Sequence, residues 1–371
     1  ELGLISGYSG IGKSALVQEL FKPITEERGY FISGKFNQFQ RNVPYASVIQ
    51  AFQSLIRQIL TESESQIAQW RQELTEALGI NGELITAVIP EVELIIGPQP
   101  PVVSLGPTET RNRFNLVFQN FIRVFAQADH PLVLFLDDLQ WADPDSLKLI
   151  GTLISANDIQ HLLVLGAYRD NEVDPGHPLM MMLHEAQKNS AQITDIKLTP
   201  LGVQQVTALV ADTLNQSPET VAPLAELVFG KAAGNPFFTS EFLKHLNQDR
   251  LIWFDPEPAE WVWEIDQIRT AQITDNVVEL ITDNIQRLGP ATVEVLTMAA
   301  CLGNQFDLLK LSLVTNKTER KIISDLREAV REGLILPLGD GYQVIEYGIL
   351  ADRTSETIEC KFAHDRIQQA V

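Results

Sequence analysis

The chain has 371 residues, 45% hydrophobic and 20% charged, with a formal net charge of −20. That balance excludes a disordered chain, the length allows two or three domains at ~150 residues each, and the acidity disfavours general nucleic-acid or anionic-membrane binding, which needs a basic face. The longest apolar runs, such as 131–136, fall far short of the ~18 residues of a membrane span, so no membrane insertion is expected. The sequence carries no N-terminal signal pattern and begins inside the first expected strand, so a piece of a longer cytoplasmic protein is expected.

Leu2, Leu4 and Ile5 read as a short buried strand, and Ala15 to Phe21 as a helix with Leu16, Val17 and Leu20 on one side. Between them stands Gly7-Tyr8-Ser9-Gly10-Ile11-Gly12-Lys13-Ser14, which fits G-x-x-x-x-G-K-[ST] in the strand–loop–helix setting the motif needs. Gly7, Gly10 and Gly12 permit backbone angles that let successive N–H groups, including those of Ile11 and Ala15, turn inward around phosphate oxygens. The positive end of the helix faces the same anion. Lys13 is placed to reach the β- and γ-phosphates of a nucleotide, and the Ser14 hydroxyl to hold Mg²⁺.

Residues 29–35 read as a second strand. Helices are expected from Pro44 to Leu60 and from Glu64 to Leu78. The proline-rich stretch 79–107, with a short helix near Leu84 to Ile89, reads as an irregular surface insertion or one set against a neighbour, making the whole insertion about 61–107. A long helix should begin at Thr108 as its N-cap. Residues 132–136 then form an apolar run ending in Asp137-Asp138, a buried strand that presents acid at its carboxyl end, where ligands bind in open α/β sheets. This is the Walker B pattern: Asp137 in the Mg²⁺ shell opposite Ser14, and Asp138 orienting the attacking water. A further strand at Leu162 to Ala167 runs into Arg169, a candidate γ-phosphate sensor. A fifth strand covers Ile193 to Leu198, completing a parallel doubly wound P-loop domain to about residue 200.

Beyond Thr199 strand patterns give way to helices at about 202–214, 218–229 and 237–247, followed by a tryptophan-rich β-hairpin within 251–265, a lid-like domain over 201–273. Residues 274–371 hold helices at about 274–288, 291–302, 308–314 and 319–332 and short strands at 334–336, 342–345 and 358–362, which describes a winged helix without a notably basic face. Cys301 and Cys360 lie in apolar settings and read as buried free thiols.

Taken together, GYSGIGKS, LVLFLDDLQWAD, GAYRDNEV, GNPFF and FAHDRIQQAV resemble the ATPase module of large bacterial, notably cyanobacterial, multidomain signalling kinases. That module is a STAND-class P-loop ATPase, related to AAA+ proteins, NB-ARC domains and MalT-type regulators. The resemblance implies ATP or ADP with Mg²⁺ as cofactors, flanking kinase and sensor domains as partners, and a regulatory switch that hydrolyses ATP. Many AAA+ proteins have Glu where this chain has Asp138, which points to slow turnover or to activation by self-association. The resemblance also implies that Pro236 packs beside the base from the lid and that His364 touches the ADP β-phosphate. The alternatives from the residues themselves are a non-catalytic module holding ADP as a scaffold and a DNA-binding winged-helix regulator, the last weakened by the charge.

Overall fold

The computed structural model describes the chain except residues 27, 39–42, 157–158, 272, 275, 339–340, 342–343 and 346–357. It divides into two compact units, Glu1–Thr199 and Pro200–Val371. The first is built on β1 (Leu2–Ser6), β2 (Tyr30–Lys35), β3 (Leu132–Asp137), β4 (Leu162–Tyr168) and β5 (Ile193–Lys197). All pairings are parallel, and the order is β2-β3-β4-β1-β5. This is an α/β P-loop NTPase sheet. The chain leaves β1 toward β2 on one side and later crosses to β5 on the other, so the strand order reverses beside β1, where such sheets bind ligands.

Side chains alternate across a pleated strand, and the two faces sort accordingly. Leu2, Leu4, Leu132, Leu134, Leu136 and Val164 enter the larger core, while Ile5, Val133, Phe135, Leu165 and Ala167 meet Val17 on the other face. The larger core is closed by helices Ala46–Ile59, Pro107–Phe125 and Pro144–Ser155, with Phe52 packed against Phe118, Phe121 and Phe125.

Several expectations are corrected. The insertion is not a surface appendage. Trp70, Leu74, Leu78, Ile85, Ile89, Val92 and Ile95 are buried in the same core as the sheet. Its helix Glu64–Leu78 starts with a capping box from Ser63 and Gln66, and its remainder forms short helical turns over 79–96 before running irregularly over 97–106, where the prolines cluster. The long helix is not capped by Thr108. It begins at Pro107, with Gly106 at the cap, because proline's fixed φ and missing N–H suit the first helical position. In the helix after the loop, Lys13–Gln18, Lys13 and Val17 are buried and four residues apart. They set the inward stripe, which leaves Leu16 and Leu20 exposed at 41% and 39%.

The second unit opens with helices Val203–Leu214, Pro218–Ala232 and Pro236–Gln248 and the antiparallel hairpin β6 (Ile252–Asp255) and β7 (Glu260–Trp263). They share a core from Val206 to Leu280, against which Trp261 and Trp263 are half-buried. Helices Val277–Gln286, Pro290–Leu302, Leu308–Thr315 and Glu319–Arg331 follow. The three-stranded antiparallel sheet β8 (Gln305–Asp307), β10 (Glu359–Phe362) and β9 (Ile335–Pro337) packs on a second cluster running from Ile281 to Ile367. β8 was not legible as a strand, being three residues long. Of the strand expected at 342–345, Tyr342 and Gln343 lie outside the described residues, and Val344 and Ile345 are helical. Both cysteines are free, but only Cys360 is buried. Cys301 is exposed, because its helix buries the stripe of Val295, Leu296 and Ala299 instead.

Candidate functional site

The sheet topology brings the ends of β1, β2, β3 and β4 to one edge. Gly7, Gly10 and Gly12 follow β1 with φ of 148°, 78° and 102°, values that side-chain-bearing residues adopt only with strain. A Cβ at Gly7 would also stand 3.0 Å from the carbonyl oxygen of Leu198. The loop they form wraps the Lys13 ammonium, which donates to the carbonyls of Gly7 at 2.8 Å and Tyr8 at 3.0 Å. Ile11 is buried beneath the loop, and Ala15 lies on the exposed side of the helix start. Burial pushes the Lys13 pKa down, against the pull of Asp137 and Asp138.

Asp137 ends β3 and accepts two hydrogen bonds, from the Ser14 hydroxyl on Oδ2 at 3.0 Å and from the Asp138 N–H on Oδ1 at 2.9 Å. Its carboxyl pKa is raised by desolvation, with Lys35 as the chief opposing influence. Asp138 adopts the left-handed conformation, φ 55°. For a non-glycine residue that is a local strain of the kind found at functional sites. The turn folds its carboxylate into a closed network. Gln140 Nε2 donates to Oδ1 at 2.8 Å, Arg169 Nε lies 3.4 Å from Oδ1, and Lys35 Nζ lies 3.2 Å from Oδ2. Arg169 is buried, donates to Glu172 Oε1 at 2.9 Å, and lays its guanidinium 4.8 Å from the centre of the Trp141 ring. Its backbone N–H donates to Gln140 Oε1 at 3.2 Å.

Lys13, Ser14, Asp137, Asp138 and Arg169, named separately along the sequence, therefore meet at one place. Lys35, Gln140, Trp141 and Glu172 belong to the same network; of these only Glu172 is legible as a partner beforehand, as an acid close enough in sequence to pair with Arg169. Gln140-Trp141 directly follow the acids and so carried a positional signal, whereas Lys35 owes its place to its register with Asp137 on the neighbouring strand. Pro236 and His364 lie in the second unit. Pro236 is the first residue of helix Pro236–Gln248, behind the Asn235 cap. His364 caps the helix Asp365–Ala370, its Nδ1 accepting from the Arg366 N–H, and its ring stacks on Phe237 at 3.8 Å between centroids.

The donor set suits a nucleotide with a hard divalent cation. Three glycines shape a cradle around a buried ammonium, and the hydroxyl and carboxylate beside it are oxygen donors. Among the described residues, no group of three or more His, Cys, Asp or Glu could hold a metal. A magnesium ion retained by one or two protein oxygens plus phosphates needs no such group.

Residues 1–165 match the family model described as an AAA ATPase domain. The chain is 31% identical over 399 aligned positions to the hybrid signal transduction histidine kinase G of Dictyostelium discoideum, covering 91% of this chain and 11% of that kinase. It is 25% identical to the peroxide stress-activated histidine kinase mak2 of Schizosaccharomyces pombe, covering 84% of this chain and 14% of the relative. The chain thus spans a small fraction of the curated relatives it matches. Among solved structures, Cdc6p from Pyrobaculum aerophilum aligns over all of this chain and 86% of its own, with 11% identity and a TM-score of 0.38. The fold assignment rests on strand order and register, not on that likeness.

Proposed function

Taking as premise that residues 1–165 match the AAA ATPase domain, we propose that this chain is a regulatory module that binds ATP or ADP with Mg²⁺ and hydrolyses ATP slowly. It would act within a larger cytoplasmic signalling kinase and report to flanking kinase and sensor domains. The observation that carries this reading is the convergence of the Gly7–Ser14 loop, with Lys13 enclosed, on the Asp137–Asp138 pair. Such a loop binds phosphate through backbone N–H groups, and Lys13 can turn from the Gly7 and Tyr8 carbonyls to phosphate oxygens. Ser14 and Asp137 would supply the protein oxygens for the cation, which would offset the phosphate charge. Asp138 orients the water that attacks the γ-phosphoryl group, and Arg169 answers the charge that develops there.

The second reading, a module that holds ADP as a scaffold, is favoured by the Asp138 network. Lys35, Gln140 and Arg169 all engage its carboxylate, which leaves it poorly placed to take a proton unless those contacts rearrange. Self-association or a partner domain could drive that rearrangement. In both readings Pro236 and His364, linked through Phe237, would carry the nucleotide state into the second unit, read as a lid over 201–273 and a winged helix over 274–371.

The test compares ATP affinity and single-turnover hydrolysis in the wild type, Lys13→Ala and Asp138→Asn. Loss of binding in Lys13→Ala, with binding kept and turnover slowed in Asp138→Asn, supports the switch. No turnover in the wild type with ADP tightly held supports the scaffold. Unchanged affinity in Lys13→Ala would remove the site assignment.

A further inference from the structure

We propose that Lys35 is a tethered counter-ion occupying the charge position of a divalent cation beside Asp137 and Asp138, so that such a cation enters only together with a nucleotide. The inference rests on the nucleotide reading above. The Lys35 ammonium lies 3.2 Å from Asp138 Oδ2 and 3.9 Å from Asp137 Oδ2. Asp137 Oδ2 is also the oxygen that accepts the Ser14 hydroxyl. The cation and the hydroxyl therefore converge on the one carboxylate oxygen that, with Ser14, would face a metal.

The backbone beneath Lys35 is fixed from two sides. The Ser47 hydroxyl donates to the Lys35 carbonyl at 2.9 Å, and the Phe36 N–H donates to the Asp137 carbonyl at 3.0 Å. Gly34 is closed against the Ser47 carbonyl so tightly that a Cβ has no room. The side chain itself is a third exposed, against 13% and 4% for the two acids. It can swing away on its flexible stem while its root stays in place. Two adjacent carboxylates drawn out of water need a counter-charge, and Arg169 serves the far oxygen of Asp138, Oδ1. Lys35 supplies it at the near side. A divalent cation arriving alone must displace or face this ammonium. Arriving with a nucleotide, it brings phosphate charge that both cations can share.

The experiment is Mn²⁺ binding by electron paramagnetic resonance, with and without ATP, on wild type, Lys35→Gln, Lys35→Arg and Lys35→Gln/Asp137→Asn, each checked for folding by its melting curve. Without nucleotide, Lys35→Gln should bind Mn²⁺ at least about tenfold tighter than wild type, a modest effect for a unit charge at this range. Lys35→Arg should restore exclusion, and Asp137→Asn should abolish the gain. Equal nucleotide-free affinity in Lys35→Gln and wild type, or a gain that survives Asp137→Asn, overturns the proposal. Should Lys35→Gln not fold, the wild type decides: Mn²⁺ bound as tightly without ATP as with it overturns the proposal, and binding that requires ATP supports it. Wild type that takes up no Mn²⁺ even with ATP overturns both the nucleotide reading and this inference. Uptake with ATP but no gain in folded Lys35→Gln overturns the Lys35 inference alone.

Discussion

Arg169→Ala separates the structural part of the Asp138 network from its chemistry. The guanidinium is 5% exposed, sits 3.4 Å from an Asp138 carboxylate that is itself 3% exposed, and packs on Trp141. Removing one partner of a buried pair costs about 3–5 kcal/mol when nothing else answers the remaining charge. Here Lys35 and Gln140 still reach Asp138, so about 2–4 kcal/mol is expected. The first unit has the span Glu1–Thr199, and for that size the loss lowers its melting temperature by about 4–16 °C. Arg169→Ala with Asp138→Ala should restore part of it, giving a coupling of ~1–3 kcal/mol in a double-mutant cycle. Urea unfolding of the four proteins, followed by circular dichroism and intrinsic tryptophan fluorescence, measures this. Loss below about 0.5 kcal/mol in Arg169→Ala, the size of an ordinary surface substitution, would refute the closed pair.

Gly34→Ala should cost at least ~1–3 kcal/mol, because its Cβ collides with the Ser47 backbone, and the melting curve reads it directly. Burial lowers the Lys13 pKa, so the unfolded chain binds more protons between the folded and unfolded values. This group's cost to stability is therefore relieved as pH rises through the folded value. Lys13→Ala should lose that alkaline gain in nucleotide-free protein, measured by melting across pH. It should also lose the ~2.7 kcal/mol of stabilisation expected from ADP at a hundredfold excess over Kd. Burial pushes the Cys360 thiol up to about 12, whereas Cys301 is exposed. A disulfide reagent at pH 8 should titrate one thiol in native protein and two in denaturant; two fast-reacting native thiols would contradict the burial of Cys360.

The parts of the fold set by local patterns were the parts that could be read from sequence. A run such as Leu132 to Leu136 has little use outside a strand buried on both faces, and the glycine spacing of 7, 10 and 12 has few other structural solutions. The residues gathered at the carboxyl edge of the sheet were visible because strand ends collect at one side of a parallel sheet. Lys35 was not, since its meaning depends on register with Asp137, which pairing decides and composition does not. The insertion was misjudged for a related reason. Its apolar residues, such as Ile85, Ile89 and Val92, sit on short turns broken at Pro90, and nothing local says what covers them; tertiary packing buries them in the main core. Cys301 shows the converse, an apolar neighbourhood in sequence whose helix turns that one residue outward.

The most direct test of nucleotide binding is the nucleotide content of the purified chain, released by denaturation and separated by ion exchange, with calorimetric titration of the emptied protein by ADP and ATP·Mg²⁺. One nucleotide per chain is expected, either already bound or taken up on titration, and none in Lys13→Ala. An intact, folded wild-type chain that carries no nucleotide and binds neither at millimolar concentration would contradict it.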